Sequence, residues 1–407
     1  MVDLSRRRAL IKSPADSRRL RVLVMPEWYP WPDRPTHGSF CREQARAAAL
    51  AHDVRVITWR AEGRMEKLFS VHRSNEDGVL TYRIRFRRSG VPRLGSLAKM
   101  LGILTIVARL RLSDAWIPDV VHAHVFGAGL PAAVVAAASR APVVITEHAS
   151  TVALGHLSPK ERAVAHRAFR CADVVCPVSE DLGRRLAVLA GRTPVVPVPN
   201  TVDDELFCLR SGPASPSSPE RSEVRLLTVG NLVEIKGHHH LIQALAELRA
   251  SGTPARLDVV GDGPLRGKLQ TQARQLGLEE HVKFHGVLSR ERVAAIMGTA
   301  DIFVLPSLWE TQGCVLIEAM TCGCPSVATD VGGVPEVLDP RAGVLVAPES
   351  SEALVGGIAE VLNRLADYKP QELRALAVSR YGYTAISRQW SAVYRSVLSK
   401  RHPLRVP

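Results

Sequence analysis

A chain of 407 residues is long for one hydrophobic core and comfortable for two domains of ordinary size. Seven cysteines, an odd number at irregular spacing and without matched C-x2-C pairs, argue against a disulfide framework and against a zinc scaffold, and fit a reducing cytoplasm. The net charge of +13 is concentrated in residues 1–113, with 23 Lys+Arg against 10 Asp+Glu, while the rest of the chain balances at 30 and 30; such asymmetry points to an anionic membrane surface or nucleic acid meeting the first domain.

Residues 1–20 form a basic tail (Arg6, Arg7, Arg8, Arg18, Arg19) without the apolar core of a signal peptide, and no apolar run in the chain reaches spanning length. A first domain is expected over 21–207. Its runs 21–25, 54–58, 120–122, 143–146 and 174–177 are short, β-branched and separated by helical patterns, and read as buried parallel strands. After the first run a long loop, Trp28-Tyr29-Pro30 through Gly38, leads into a helix over 43–50. A glycine just before a helix lets a ligand reach backbone amides, while the loop's aromatic residues could equally cap the sheet. Segment 97–112 is apolar, carries Lys99, Arg109 and Arg111, and fits either a buried helix of the first domain or a helix lying at a membrane interface. His122 and His124 alternate onto one side of a strand, where histidine is usually satisfied core. His148, two residues beyond Thr146 at a strand-to-loop transition, is the better functional candidate. Asp203-Asp204-Glu205 follows Pro199-Asn200 and reads as the start of a helix rather than a metal site, so no metal ligand is assigned.

A linker over 208–223, with its Ser/Pro-rich stretch at 211–222, divides the chain. Beyond it the runs 226–229, 257–260, 282–284, 302–305, 326–329 and 343–346 describe a second doubly wound sheet, in a domain over 224–385. The remainder, 386–407, begins with a helix over 386–398 whose Trp390, Val393 and Val397 form an apolar stripe. That stripe must dock, and the helix could cross back to the N-terminal domain and strap the two together.

In open α/β sheets ligands bind beyond the carboxyl ends of the strands, and the second half puts its chemical groups there. Gly230-Asn231 and then Lys236-Gly237 lead into a helix over 238–248. Lysine together with helix-start N–H groups makes an anion site suited to a diphosphate, although the motif alone also fits a solvated loop lysine. Gly261-Asp262-Gly263-Pro264 is a tight turn. His285-Gly286-Val287 offers an edge whose N–H and C=O could meet a nucleobase, with Phe284 beside it as core. The strand 302–306 turns into a helix over 315–322, flanked by Glu310 and Glu318. A carboxylate in a first helical turn sits among unbonded N–H groups and can accept hydrogen bonds from a sugar diol. The next unit, with Gly332-Gly333, Pro335 and Glu336, repeats this design. Cys322 and Cys324, without histidine partners, read as packing.

The series Gly230, Lys236-Gly237, Gly261-Asp262-Gly263-Pro264, Val282-x-Phe284-x-Gly286, Glu310-x7-Glu318 and Gly332-Gly333-x-Pro335-Glu336 resembles the retaining family 4 glycosyltransferases, and the resemblance runs from about residue 22 to 398. It implies the α/β GT-B fold, two Rossmann-like doubly wound domains facing across a cleft. It implies that Glu318 holds the ribose hydroxyls of a nucleotide sugar, that Glu310 faces the donor sugar, and that Lys236 neutralises the leaving diphosphate. Backbone N–H groups of Gln312, Gly313, Cys314 and Val315 would cradle sugar and phosphate, with Gly230, Asn231 and His285 completing the donor site. His148, in Thr146-Glu147-His148, matches the family's histidine near the transferred sugar, and Gly38 its glycine loop. Two departures matter: Asn231 stands where arginine is common, leaving the diphosphate more dependent on Lys236, and Gln312 stands where an aromatic residue is common.

The reaction so implied moves a glycosyl group, with its configuration retained, from a nucleotide sugar to a saccharide or lipid-linked saccharide, in cell-surface polysaccharide or glycolipid synthesis. It needs no metal and no cofactor beyond the donor as co-substrate. The expected location is the cytoplasm, and the basic first domain raises peripheral contact with an anionic inner membrane face. A nucleotide-sugar 2-epimerase of the same two-domain fold is the alternative. Nucleic acid is not an expected partner, because the chain has charge but no recognised binding motif.

Overall fold

The computed structural model describes residues 18–63, 65–88, 92–209 and 223–401. The stretch 210–222 of the expected linker and residues 1–17 of the basic tail lie outside the described residues. The chain divides into two compact units, one made of the residues up to Thr201 together with those from Tyr383 onward, the other Val202–Gly382.

In the first unit the strands are β1 (Arg21–Pro26), β2 (Asp53–Glu62), β3 (Phe69–Glu76), β4 (Val79–Arg87), β5 (Val120–His124), β6 (Val143–Glu147) and β7 (Val174–Pro177). The helices are α1 (Ser39–Ala51), α2 (Pro92–Leu112), α3 (Phe126–Ser139), α4 (Ser150–Ala153), α5 (Pro159–Arg170) and α6 (Glu180–Ala190). The seven-stranded sheet has the order β3-β4-β2-β1-β5-β6-β7. Strands β5, β6 and β7 are buried along their whole length, which is why they consist of nearly continuous apolar runs. Local chemistry sets the helix starts: Ser158 and Glu161 form a reciprocal capping box at α5 with Pro159 in the first turn, and the Ser179 hydroxyl accepts from Leu182 N–H at α6.

Two strands were not expected. β3 and β4 pair antiparallel across the two-residue turn Asp77-Gly78, and β4 then pairs parallel with β2, so the first sheet is mixed rather than wholly parallel. Both turn residues have positive φ (52° and 84°), the backbone form that an Asp-Gly hairpin loop favours. The arginines and serines interleaved along these strands hide them from a search for apolar runs. β3 lies at the sheet's edge, with one partner strand and mostly exposed side chains.

α2 begins earlier than the expected 97–112. Its Ala98, Ile103, Ile106 and Leu110 are buried, as a helix of the first domain requires, but Leu94, Leu97, Leu101, Leu104 and Leu112 are exposed. Among the described residues no helix is long and apolar enough to cross a membrane.

The second unit has strands β8 (Val224–Val229), β9 (Ala255–Val260), β10 (Val282–Gly286), β11 (Ile302–Leu305), β12 (Ser326–Thr329) and β13 (Gly343–Val346). Its helices are α7 (His238–Ala250), α8 (Arg266–Gln275), α9 (Arg290–Met297), α10 (Cys314–Thr321), α11 (Val334–Val337), α12 (Ser351–Asn363) and α13 (Pro370–Tyr381). The all-parallel order β10-β9-β8-β11-β12-β13 is that of a dinucleotide-binding sheet, with its switch point between β8 and β11.

The unit boundary falls at Thr201, six residues before the expected 207. Val202 N–H donates to Tyr381 C=O, Phe207 is buried in the second core, and Arg374 donates to the carbonyls of Phe207 and Asp204. Asp203 does not start a helix. Its carboxylate accepts from the N–H groups of Glu205 and Leu206 and closes a single turn. The last helix, α14 (Tyr383–Arg401), belongs to the first unit and packs on α1: Trp390 Nε1 donates to Gln44 Oε1 at 2.5 Å, the Tyr383 hydroxyl donates to Glu43, and Val393 and Val397 are buried beside them.

Candidate active site

In the second unit Gly230, Asn231, Lys236, Glu310, Gln312 and Gly313 lie on the two loops that leave β8 and β11, the strands flanking the switch point, with Cys314, Val315 and Glu318 on the helix that follows and His285 in β10. The β8 loop carries Gly230 and an exposed Asn231, then one 3-10 turn, Glu234–Lys236, before Gly237 caps α7. Gly237 has φ 61°, and a Cβ there would stand 2.0 Å from the Pro306 carbonyl oxygen, so no other residue lets this loop press against the end of β11. Leu308 N–H donates to Ile235 C=O at 2.8 Å and fixes the approach. The consequence is the contact at the site's centre: Lys236 Nζ lies 2.5 Å from Glu310 Oε1. Gly237→Ala should therefore displace Lys236 and cost about 1–3 kcal/mol of stability through the strained left-handed backbone. Unchanged melting together with unchanged turnover would contradict that account.

Glu310 is buried, and its Oε1 also accepts from the Ser307 hydroxyl at 2.8 Å. Neither glutamate occupies a first helical turn, contrary to the expectation from sequence: α10 starts at Cys314, Glu310 lies in the loop before it, and Glu318 lies one turn inside. Gly313 caps α10, so the N–H groups at Gln312, Gly313, Cys314 and Val315 belong to the helix start, where the backbone lacks intrahelical acceptors. Gln312 is buried. Burial pushes the Cys314 thiol up to about 12, with Glu318 and Glu310 adding to the rise and Lys236 opposing it. All three charged groups are therefore within electrostatic reach of one first-turn side chain.

Glu318 Oε1 lies 3.8 Å from Arg290 Nη2, at the start of α9. His285 sits where the β10–β9 register shifts, a bulge that takes its backbone out of regular pairing, and its Nε2 lies 2.6 Å from Asp258 Oδ1. Ser307, Arg290 and Asp258 were not found from sequence. Only the i+3 spacing of Ser307 to Glu310 offered a signal, since Asp258 meets His285 from a neighbouring strand and Arg290 meets Glu318 from a neighbouring helix.

In the first unit the corresponding switch point lies between β1 and β5. Gly38 caps α1 at φ 70°, and a Cβ there would fall 2.3 Å from the Trp28 carbonyl carbon, so the long loop folds directly onto its own start. Its aromatic residues also pack: Tyr29 and Trp31 are buried, with Arg83 over both rings and Arg60 over Trp31. His122 is core, with Nδ1 2.8 Å from the Tyr394 hydroxyl and Nε2 2.7 Å from Thr146 Oγ1. His148 Nε2 lies 3.0 Å from His124 Nδ1, and its ring lies 4.6 Å from that of Phe40.

Cys41, His124 and His148 bring possible metal-ligand atoms within 4.8 Å of one another. The two imidazole centroids are 5.3 Å apart with planes tilted by 19°, so the rings lie end to end and the facing nitrogens share a proton rather than converging on a third point. Between these strands Val125 holds φ 68°, a strained value for a β-branched residue, and Glu147 accepts from the N–H groups of Phe126, His148 and Ala149. Neither feature was read from the sequence.

Burial holds His122 and His148 well below the usual histidine range, His124 down to about 3, and His52 and His238 down to about 4. A base whose folded pKa is depressed binds its proton first in the unfolded chain, so its contribution to stability is present above about 6.5 and lost as the pH falls. Glu147, raised by burial to about 7, acts oppositely, losing stability as the pH rises through 7. Five histidines outweigh one carboxyl. The melting temperature should fall steadily from pH 6.5 to 4.5, and a flat profile by calorimetry would show these rings to be hydrated.

A doubly wound sheet with acidic, cationic and glycine groups gathered at its switch point places this chain among the α/β folds that bind ligands beyond the carboxyl ends of their strands, and comparison with known proteins narrows the class. Residues 215–374 match the family model described as glycosyl transferases group 1, and residues 37–201 match a glycosyl transferase 4-like domain. Glycogen synthase of Mycobacterium tuberculosis is 29% identical over 310 residues, covering 72% of this chain and 74% of that protein. A GDP-mannose-dependent alpha-(1-6)-phosphatidylinositol monomannoside mannosyltransferase of Mycolicibacterium smegmatis is 31% identical over 288 residues, covering 65% and 72%. Among solved structures, HepE of Anabaena, determined in complex with UDP and glucose, superposes with a TM-score of 0.70 at 21% identity, covering 93% of this chain and 100% of that one. The chain belongs to the family 4 glycosyltransferases of the GT-B fold. It is a glycosyltransferase.

Proposed function

We propose that the protein transfers a glycosyl group from a nucleoside-diphosphate sugar to a saccharide or lipid-linked saccharide, in the synthesis of a cell-surface polysaccharide or glycolipid, with retention of configuration. The observation that carries this reading is the Lys236–Glu310 pair at the switch point, with Glu318 one turn into the adjoining helix. Lys236 and the α10 N-terminus are a fixed positive field for charge developing on a leaving diphosphate. Glu318 is the ribose acceptor and Glu310 the sugar acceptor. Gly230 and Asn231, on the β8 loop, border the diphosphate, and the bulged backbone at His285 meets the base. A lysine here supplies the positive charge that a divalent metal gives elsewhere, so the reaction proceeds without metal or cofactor. Retention follows a same-face route in which the departing phosphate oxygen takes the acceptor's proton, which is why no carboxylate serves as nucleophile.

The first unit receives the acceptor. Its excess of basic residues suits a lipid-linked saccharide at the cytoplasmic face of a membrane, and the free thiols of Cys171, Cys176, Cys208, Cys314 and Cys324 suit a reducing compartment. His148 serves the transfer step, and His148→Ala should lower turnover by about tenfold or more while leaving donor affinity unchanged. Equal turnover would confine His148 to the core. A panel of nucleotide sugars tests the whole reading. Acceptor-dependent release of nucleoside diphosphate, with the anomeric configuration kept by NMR, is expected. An epimeric nucleotide sugar formed without acceptor would replace transfer with isomerisation.

A further inference from the structure

Helix α2 is apolar on two opposite sides. Toward the fold, Ala98, Gly102, Ile106 and Leu110 recur at every fourth residue, and the Cβ position of Gly102 lies 2.9 Å from Ile84 of β4 and 3.3 Å from Phe69 of β3. Half a turn away, Leu94, Leu97, Leu101, Leu104 and Leu112 form a stripe that is between 37% and 83% exposed. At about 100° per residue the stripe is centred opposite the buried face, so no rotation of the helix buries both. The neighbouring edge extends the surface. Val71 of β3 is 40% exposed and, by strand alternation, shares the side of Phe69, with exposed Leu68 just before the strand.

Charge indicates what covers this face. The charged residues of α2 are Arg93, Lys99, Arg109 and Arg111, and none is acidic. Arg109 and Arg111 are exposed in its last turn, and exposed Lys67 and Arg73 flank Leu68 and Val71. Leucines bordered by cations match the boundary between acyl chains and anionic headgroups. A second copy docking here through a twofold interface would set the same cations against one another.

We propose that the outer face of α2, continued by Leu68 and Val71, docks the protein on an anionic bilayer, with the leucines entering the headgroup boundary. The inference rests on the lipid-linked acceptor reading for its purpose, but its test does not pass through turnover. The full chain is sedimented with vesicles of phosphatidylcholine alone or mixed with phosphatidylglycerol, as wild type, as Leu97→Ser/Leu101→Ser/Leu104→Ser and as Arg109→Ser/Arg111→Ser. Wild type should bind the anionic vesicles selectively and more weakly at high salt, and each variant should lose roughly tenfold in partitioning. Donor binding should stay unchanged, because none of these residues belongs to the donor site, and the melting temperature of the serine variant should fall only modestly, since Leu97, Leu101 and Leu104 are 53%, 40% and 37% exposed. Failure of wild type to bind, equal binding to both vesicle types, wild-type partitioning by the serine variant, or concentration-dependent dimerisation that this variant abolishes would each overturn the proposal. Donor binding measured on the same samples separates such a failure from a failure of the transferase reading.

Discussion

Lys236→Ala should lower turnover by roughly 10²–10³-fold, the scale on which removing one preorganised charge-stabilising group acts, while donor affinity changes much less. The argument starts from geometry. Gly237 presses the β8 loop onto Pro306, and this delivers the ammonium to Glu310 at 2.5 Å. In the absence of the lysine, Glu310 keeps the Ser307 hydroxyl but loses its cationic partner in a buried site, so some destabilisation accompanies the kinetic loss. The double variant Lys236→Met/Glu310→Gln separates the two effects. Replacing both charges should restore the melting temperature toward wild type, yet activity should stay low, because the leaving diphosphate still meets no cation. Recovery of both together would make the pair structural and end its catalytic assignment.

The second large effect is expected at Glu318. A carboxylate bonded to two ribose hydroxyls contributes about 3 kcal/mol to donor binding, taking the lower end of the roughly 1.5–3 kcal/mol net that each hydrogen bond to a charged group is worth. Glu318→Ala should then raise the donor Kd by roughly a hundredfold, measurable by calorimetry or by loss of donor-induced thermal stabilisation. Glu318→Gln should lie between, since an amide oxygen still accepts but carries no charge. Arg290, 3.8 Å from Glu318, gives a second handle: if it holds the carboxylate in place, Arg290→Ala should reproduce part of the affinity loss. Unaltered donor affinity in Glu318→Ala would remove the ribose assignment and leave α10 with only its helix-start amides as a donor site.

The donor-side pattern was legible because it is local. Lys236-Gly237, the glutamates eight positions apart in number, and the glycine turns lie within single strand-loop-helix units, and buried parallel strands announce themselves as apolar runs. β3 was not legible in that way because, as an edge strand, it exposes most of its side chains, and β4, largely covered inside the sheet, because Arg83, Arg85 and Arg87 interrupt its apolar run. Ser307, Arg290 and Asp258 escaped for a different reason. Each acts on a residue brought near by the sheet order or by a turn rather than by a recognisable motif, as when Asp258 of β9 meets His285 of β10.

By itself the sequence determined two α/β domains, their buried parallel strands other than the β3–β4 hairpin, and the residue types gathered at the second sheet's carboxyl ends, since periodicity, glycine punctuation and short-range spacing are properties of neighbouring residues. Only the tertiary structure decided which of these groups touch. It paired Lys236 with Glu310, joined His148 to His124, moved the boundary to Thr201, assigned α14 to the first unit, and left one face of α2 in water. Those outcomes depend on contacts between segments far apart in the chain, whose free energy comes from shape and burial that no local pattern encodes.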